Sequence, residues 1–165
     1  AMSQLGNREP GLVGAALDAE EVRAGLIADG VHVHPLSMRA ALAAKRGEEA
    51  IFLVTDAMAV AGTEAQSFAL KGRTIHRRDG RLTLSDGTLA GADIDFPGAI
   101  RVLVGAGVAT LPRALAMATA APAAAIGRTD LGRLAAGGPA DFVWLDAGLA
   151  LGGVWRGGAA VAPGG

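Results

Sequence analysis

The chain has 165 residues, 51% of them hydrophobic and 19% charged, with a net charge of −1. That length can bury the core of one domain, and the charge balance lacks the clustered basic excess of a general nucleic-acid binder. Having no cysteine excludes disulfides and thiolate metal sites, so any metal would need His, Asp or Glu ligands. Gly, Asp or Arg interrupts every apolar run before it reaches the roughly 18 residues needed to cross a bilayer, so no membrane partner is expected. The apolarity comes from Ala, Val, Leu and Gly rather than from aromatics, which make up 4%. Such a composition suits helices packed closely on parallel strands, and a chain that buries surface against something else. No charged leader followed by an apolar block opens the sequence, and a cytoplasmic location is the expectation.

In chain order, residues 1–11 read as a loop, and Asp18 followed by Glu21 predicts an N-capped helix start. Residues 24–35 predict a buried strand, followed by a helix from Pro35 and Ser37 to Lys45 with Gly47 as its stop. The run Ala50-Ile51-Phe52-Leu53-Val54-Thr55-Asp56 predicts a strand buried on both faces and ending in a carboxylate. This strand–helix–strand unit signals a parallel α/β sheet. An acid at the carboxyl end of such a strand stands where α/β barrels place their chemistry, although Asp56 could equally cap the following turn.

From Phe68 the period changes to two. Residues 68–77 and 81–84 flank Asp79-Gly80, a hairpin signal, and Asp86-Gly87 predicts a second turn leading to Thr88-Leu89-Ala90-Gly91. Helices are predicted from about Pro97, with Ile100, Leu103 and Val104 on one face, and from Thr110 through Leu111, Leu115 and Met117. A last helical turn spans Pro122 to Ile126, and strands return at 140–146, 149–154 and 159–161. Two parallel strands alone would leave open edges and apolar faces, and a full α/β barrel takes about 250 residues. The order therefore fits the later part of a barrel.

Several segments together resemble the N-acetylglucosamine-6-phosphate deacetylases of the amidohydrolase superfamily. They are Arg8-Glu9-Pro10-Gly11-Leu12-Val13-Gly14-Ala15-Ala16-Leu17, Ile27-Ala28-Asp29-Gly30-Val31-His32-Val33, Leu53-Val54-Thr55-Asp56-Ala57-Met58 and Asp86-Gly87-Thr88-Leu89-Ala90-Gly91. Residues 118–123 and 138–142 match the superfamily more widely. The resemblance implies an α/β fold, the later part of a (β/α)8 TIM-type barrel that is incomplete in this chain. Residues 1–131 would hold the barrel part, with a hairpin insertion at about 67–91, and residues 132–165 the C-terminal share of a small β-sandwich. It makes 29–34 the seventh barrel strand and 51–56 the eighth.

The implied reaction is metal-dependent hydrolysis of N-acetylglucosamine 6-phosphate to glucosamine 6-phosphate and acetate, in amino-sugar catabolism. Asp56 matches the catalytic acid, which takes a proton from the attacking water and returns it to the leaving amine. His32 matches a residue that contacts the sugar, and Arg8 one that grips the phosphate through paired hydrogen bonds. Ala1 matches a backbone contact at the phosphate end, and Leu89, Ala90 and Gly91 line the sugar pocket, with Gly91 allowing close approach. The family's divalent metal, zinc or iron, is held by a Glu and two His expected before Ala1, so no metal ligand is expected in this chain and the isolated chain would be inactive. The implied partners are the phosphosugar, the missing amino-terminal half of the barrel and a second copy in a homodimer. His34 reads as a surface or turn residue, and His76 with Arg73, Arg77, Arg78 and Arg81 as the wet face of the hairpin. Two other functions fit less of the sequence. One is an amidohydrolase acting on another amide, which would leave Arg8 without a phosphate. The other is a catalytically silent chain that completes a barrel with a partner.

Overall fold

A parallel strand pair lies at the centre of a mixed α/β fold, described by a computed structural model over residues 2–47 and 49–162. β1 (Ala24–Ile27) pairs with β2 (Ile51–Val54), with Leu26 opposite Leu53, and the crossover between them carries a helix. The strands alternate as the period of two requires. Leu26, Ile51 and Leu53 are buried, while Phe52 and Val54 on the other face are half-buried.

α1 (Gly11–Asp18), α2 (Pro35–Ala44), α3 (Phe96–Gly105), α4 (Leu111–Ala118) and α5 (Ala120–Ala125) supply the helices. Met38 and Leu42 of α2, Ala99, Ile100 and Leu103 of α3, and Ala114 and Met117 of α4 share one core with the buried face of the strands. α3 starts sharply because Asp95 accepts the Gly98 N–H at 2.6 Å and a proline sits in its first turn.

The second layer is an antiparallel meander of β3 (Ser67–Leu70), β4 (Arg73–Arg78), β5 (Arg81–Leu84) and β6 (Leu89–Ala92). Asp79 and Gly80 both have positive φ, 51° and 69°, the geometry that matches a two-residue turn to strand twist. Val60, Ile75 and Leu82 form a small separate core beneath this sheet. The last sheet joins β7 (Phe142–Leu145), β8 (Leu151–Arg156) and β9 (Ala159–Ala160), with Phe142 stacked on Trp155 at a centroid distance of 4.9 Å. Leu149 packs on the main core, and its carbonyl accepts from Arg101 Nη1 at 2.7 Å, tying this sheet to α3.

The structure differs from the sequence expectations at five places. The strand predicted over 24–35 stops at Ile27, because Asp29 Oδ1 accepts the Val31 and His32 N–H groups and Gly30 turns at φ 74°. Residues 29–34 are therefore a loop, and His34 closes it by capping α2, its Nδ1 accepting from the Leu36 N–H at 3.2 Å. The helix predicted to begin at Asp18 instead ends there, and 19–23 are turn and extended residues. Residues 68–77 are two strands rather than one, split by Lys71 and Gly72 at φ 48° and 76°. β2, expected to be buried on both faces, is buried on one only, with Phe52 and Val54 on the other half-buried. Arg77 is not on a wet face. It is half-buried and pairs with Asp93 at 2.7 Å.

Leu103 is fully buried where α3 meets the strand pair. Leu103→Ala should lower stability by about 2–5 kcal/mol in urea unfolding, as cavity-forming substitutions do. Truncating the exposed Leu115 should change it much less.

Candidate active site

The carboxyl ends of β1 and β2 and the last residues of β6 meet in one place. Asp56 follows β2 and is exposed, with a positive φ of 48°. Asp tolerates the left-handed region better than most residues, and the bend turns the chain out of the strand direction immediately after the acid. No ion pair involves Asp56 among the described residues. Its backbone carbonyl accepts the Ala92 N–H at 3.1 Å, and Ala57 forms an isolated parallel bridge to Ala92.

This junction is tight. A Cβ on Gly91 would lie 2.5 Å from the Asp56 carbonyl oxygen and 2.5 Å from Met58 Cγ. The close approach expected of Gly91 is thus made to the backbone of the candidate acid. The segment after Asp56 is held from its far side by Arg77, whose guanidinium reaches the carbonyls of Val60 at 3.1 Å and Thr63 at 2.6 Å as well as Asp93.

His32 stands on the loop after β1. Its Nδ1 meets Asp29 Oδ2 at 2.6 Å and its Nε2 meets the Ala90 carbonyl oxygen at 3.0 Å, so the ring bridges the β1 loop and β6. Burial opposes charge on this ring, yet the bonds to Asp29 and Ala90 and the negative charges of Asp29 and Asp56 outweigh it, and the pKa of His32 is raised above 6.5. Burial likewise opposes the Asp29 carboxylate, but the His32 ring and the two backbone N–H groups hold its pKa below 3.8.

Of the residues singled out in the sequence, Asp56, His32, Ala90 and Gly91 are brought together. Leu89 begins β6 and is exposed. Arg8 stands on the entry to α1, exposed, with no hydrogen bond or ion pair to them among the described residues. Ala1 lies outside the described residues. His76 is half-buried on β4 and touches Ser85 Oγ at 3.4 Å. Asp29 is the site residue that the sequence reading left without a role. Its signal was the Asp-Gly pair itself, a turn former whose carboxylate can bind backbone N–H groups two and three residues on.

Residues 9–158 match the Amidohydrolase family. The chain belongs to that family.

Among relatives of this amidohydrolase chain, N-acetylgalactosamine-6-phosphate deacetylase of Shewanella sp. (strain ANA-3) is 43% identical over 145 residues, covering 88% of the chain and 36% of that protein. A protein of Escherichia coli (strain K12), whose name gives the same activity as unproven, is 37% identical and is covered over 92% of its length, against 93% of this chain. The crystal structure of N-acetylglucosamine-6-phosphate deacetylase from Pasteurella multocida superposes with a TM-score of 0.91 at 34% identity, over 98% of this chain and 42% of that one. The chain thus spans about two fifths of the length of the Shewanella and Pasteurella proteins and nearly all of the E. coli one.

Amidohydrolases are generally metal-dependent. Among the described residues no three His, Asp or Glu side chains gather where they could hold a cation. The described residues therefore do not fit a metal centre by themselves, and what they offer is a carboxylate, an imidazole and backbone groups for hydrogen bonding.

Gly91→Ala should cost about 1–3 kcal/mol, because the methyl group must displace the Asp56 backbone or Met58. Gly105→Ala at the end of α3, where nothing lies within 4 Å of the new methyl, should be neutral or stabilising. The Asp29–His32 pair sets a pH dependence of stability. Its stabilisation is complete between 3.8 and 6.5, fades as pH rises through the raised pKa of His32, and fades as pH falls through the lowered pKa of Asp29. His32→Gln should remove the alkaline limb of that profile in thermal melts recorded across pH.

Proposed function

We propose that the chain forms the proton-transfer and sugar-contact side of an N-acetylhexosamine-6-phosphate deacetylase, built on the later part of a (β/α)8 barrel. The observation that carries this reading is Asp56: a carboxylate free of any ion pair among the described residues, at the carboxyl end of a buried parallel strand and beside His32. As the attacking water bonds to the acetyl carbonyl carbon, Asp56 takes its proton. As the C–N bond breaks, Asp56 returns a proton to the amine, so that hexosamine 6-phosphate and acetate leave. His32 donates to an oxygen of the sugar, and Arg8 binds the phosphate. Leu89, Ala90 and Gly91 line the sugar pocket, and Ala1 belongs to the phosphate end. The divalent cation, zinc or iron, is held by residues outside those described.

In this reading residues 1–131 are barrel, with the meander of β3–β6 as the insertion, and residues 132–165 are part of a β-sandwich. The other partners are the rest of the barrel and a second copy of the protein, in the cytoplasm. The half-buried face of Phe52 and Val54 and the open edges of β1 and β2 support a barrel completed by further strands.

A second reading concerns the sugar. The Shewanella and E. coli relatives are named for the galactosamine substrate and the Pasteurella structure for the glucosamine one, so both isomers are substrates to test.

Acetate release from both sugar phosphates, measured on the full polypeptide, tests the proposal. Asp56→Asn should lower kcat by on the order of 10²–10⁴ with little change in KM. Arg8→Gln should raise KM for the phosphosugars. An Asp56→Asn protein with undiminished turnover would refute the proton-transfer role. An inert wild type would favour the catalytically silent chain.

A further inference from the structure

The ring of His32 touches two groups, one at each nitrogen, and both present lone pairs. Asp29 Oδ2 lies 2.6 Å from Nδ1, and the Ala90 carbonyl oxygen lies 3.0 Å from Nε2. A backbone carbonyl has no proton to give, so Nε2 must carry one to make its contact. A neutral ring would then leave Nδ1 bare, and Asp29 would have to be protonated to face it. Asp29 is not arranged for that. Its other oxygen already accepts the Val31 and His32 N–H groups at 2.9 and 2.8 Å, which stabilises the carboxylate. The opposite neutral tautomer, with the proton on Nδ1, would set the Nε2 lone pair against the Ala90 oxygen. Each neutral arrangement opposes like to like, whereas the cation satisfies every contact.

We propose that Asp29 is a positioning residue, which holds His32 as a doubly protonated imidazolium with its Nε2–H aimed at the Ala90 carbonyl. The side chains of Asp29 and His32 are 8% and 18% exposed, so the pair is sheltered from the water that weakens surface ion pairs. The charged groups acting on the ring are Asp29 on its own loop and Asp56 beyond β2, while β6 offers only the neutral Ala90 carbonyl. Asp29 fixes the ring from both ends of the loop. One oxygen shapes the turn that carries His32, and the other sets its charge.

This assignment deepens the deacetylase reading and rests on it for the identity of the ligand alone. An imidazolium has two donors and no acceptor, so it cannot serve as a general base here. It leaves that task to Asp56. The ligand group it can take is an oxygen lone pair, from a hydroxyl, a carbonyl or a phosphate, and that oxygen must displace the Ala90 carbonyl from Nε2–H.

The test is ¹⁵N NMR of histidine-labelled full polypeptide without ligand, with the His32 signals assigned by their loss in His32→Gln. At pH 6.5 both ring nitrogens should show predominantly the protonated shift, with a titration midpoint above that pH. In Asp29→Asn, whose amide oxygen can still accept the Val31 and His32 N–H groups, the second ring proton should be lost near neutral pH and the midpoint should return toward 6.5. A wild-type midpoint at or below 6.5, or an Asp29→Asn protein with an unmoved midpoint, would overturn the assignment. The wild-type spectrum decides the protonation state even if the variant does not fold. Because no substrate is present, the result stands apart from whether the protein releases acetate.

Discussion

The carboxyl end of β2 is held by a strand of another sheet. Ala92 of β6 donates to the Asp56 carbonyl, Ala57 bridges to Ala92, and Gly91 lies so close that no side chain fits between. One residue earlier, the Ala90 carbonyl receives the His32 ring. Three consecutive residues of β6 thus fix the candidate acid on one side and the candidate sugar contact on the other. The meander of β3–β6 is accordingly more than an insertion. It is the wall against which both loops of the parallel pair are set.

The energetics of that wall follow from what it shelters. A charge withdrawn from water needs a partner, and at this site Asp29 and His32 partner each other while their remaining bonding capacity is spent on backbone groups. Arg77 plays the same part behind Asp56. Its guanidinium gathers carbonyls of the segment that follows the acid together with Asp93. Asp56 itself is left out of these pairings. Among the described residues its carboxylate has no ion-pair partner, which is what the proposed proton-transfer role rests on.

Much of this was legible in the sequence because the signals were local. The apolar run ending in Asp56 gave a strand, Asp79-Gly80 and Asp86-Gly87 gave turns, and Pro97 gave the start of α3. What escaped was decided by groups acting across the chain or by conformations that residue type does not announce. α1 has no side-chain cap and two glycines, so its sequence carries little helical signal, and the acids after it imitate a helix start. The alternating valines of 31 and 33 suggest a strand, but one carboxylate two residues earlier binds the backbone first and bends it. Lys71 adopts positive φ without being a turn former. The site followed the same division. Asp56, His32 and Gly91, singled out by motifs, lie together, whereas the contacts of Asp29 and the burial of Arg77 emerged only when β6, the β1 loop and the 57–65 segment were seen in contact.

In the proposed site Asp56 and His32 face one ligand at the wall made by β6. A crystal structure of the full-length Asp56→Asn protein with N-acetylgalactosamine 6-phosphate or its gluco isomer tests it most directly. The acetamido group should lie over residue 56, with a sugar oxygen on His32 Nε2 in place of the Ala90 carbonyl and the phosphate at Arg8. A sugar phosphate bound elsewhere, with the Ala90 contact to His32 intact, would contradict it.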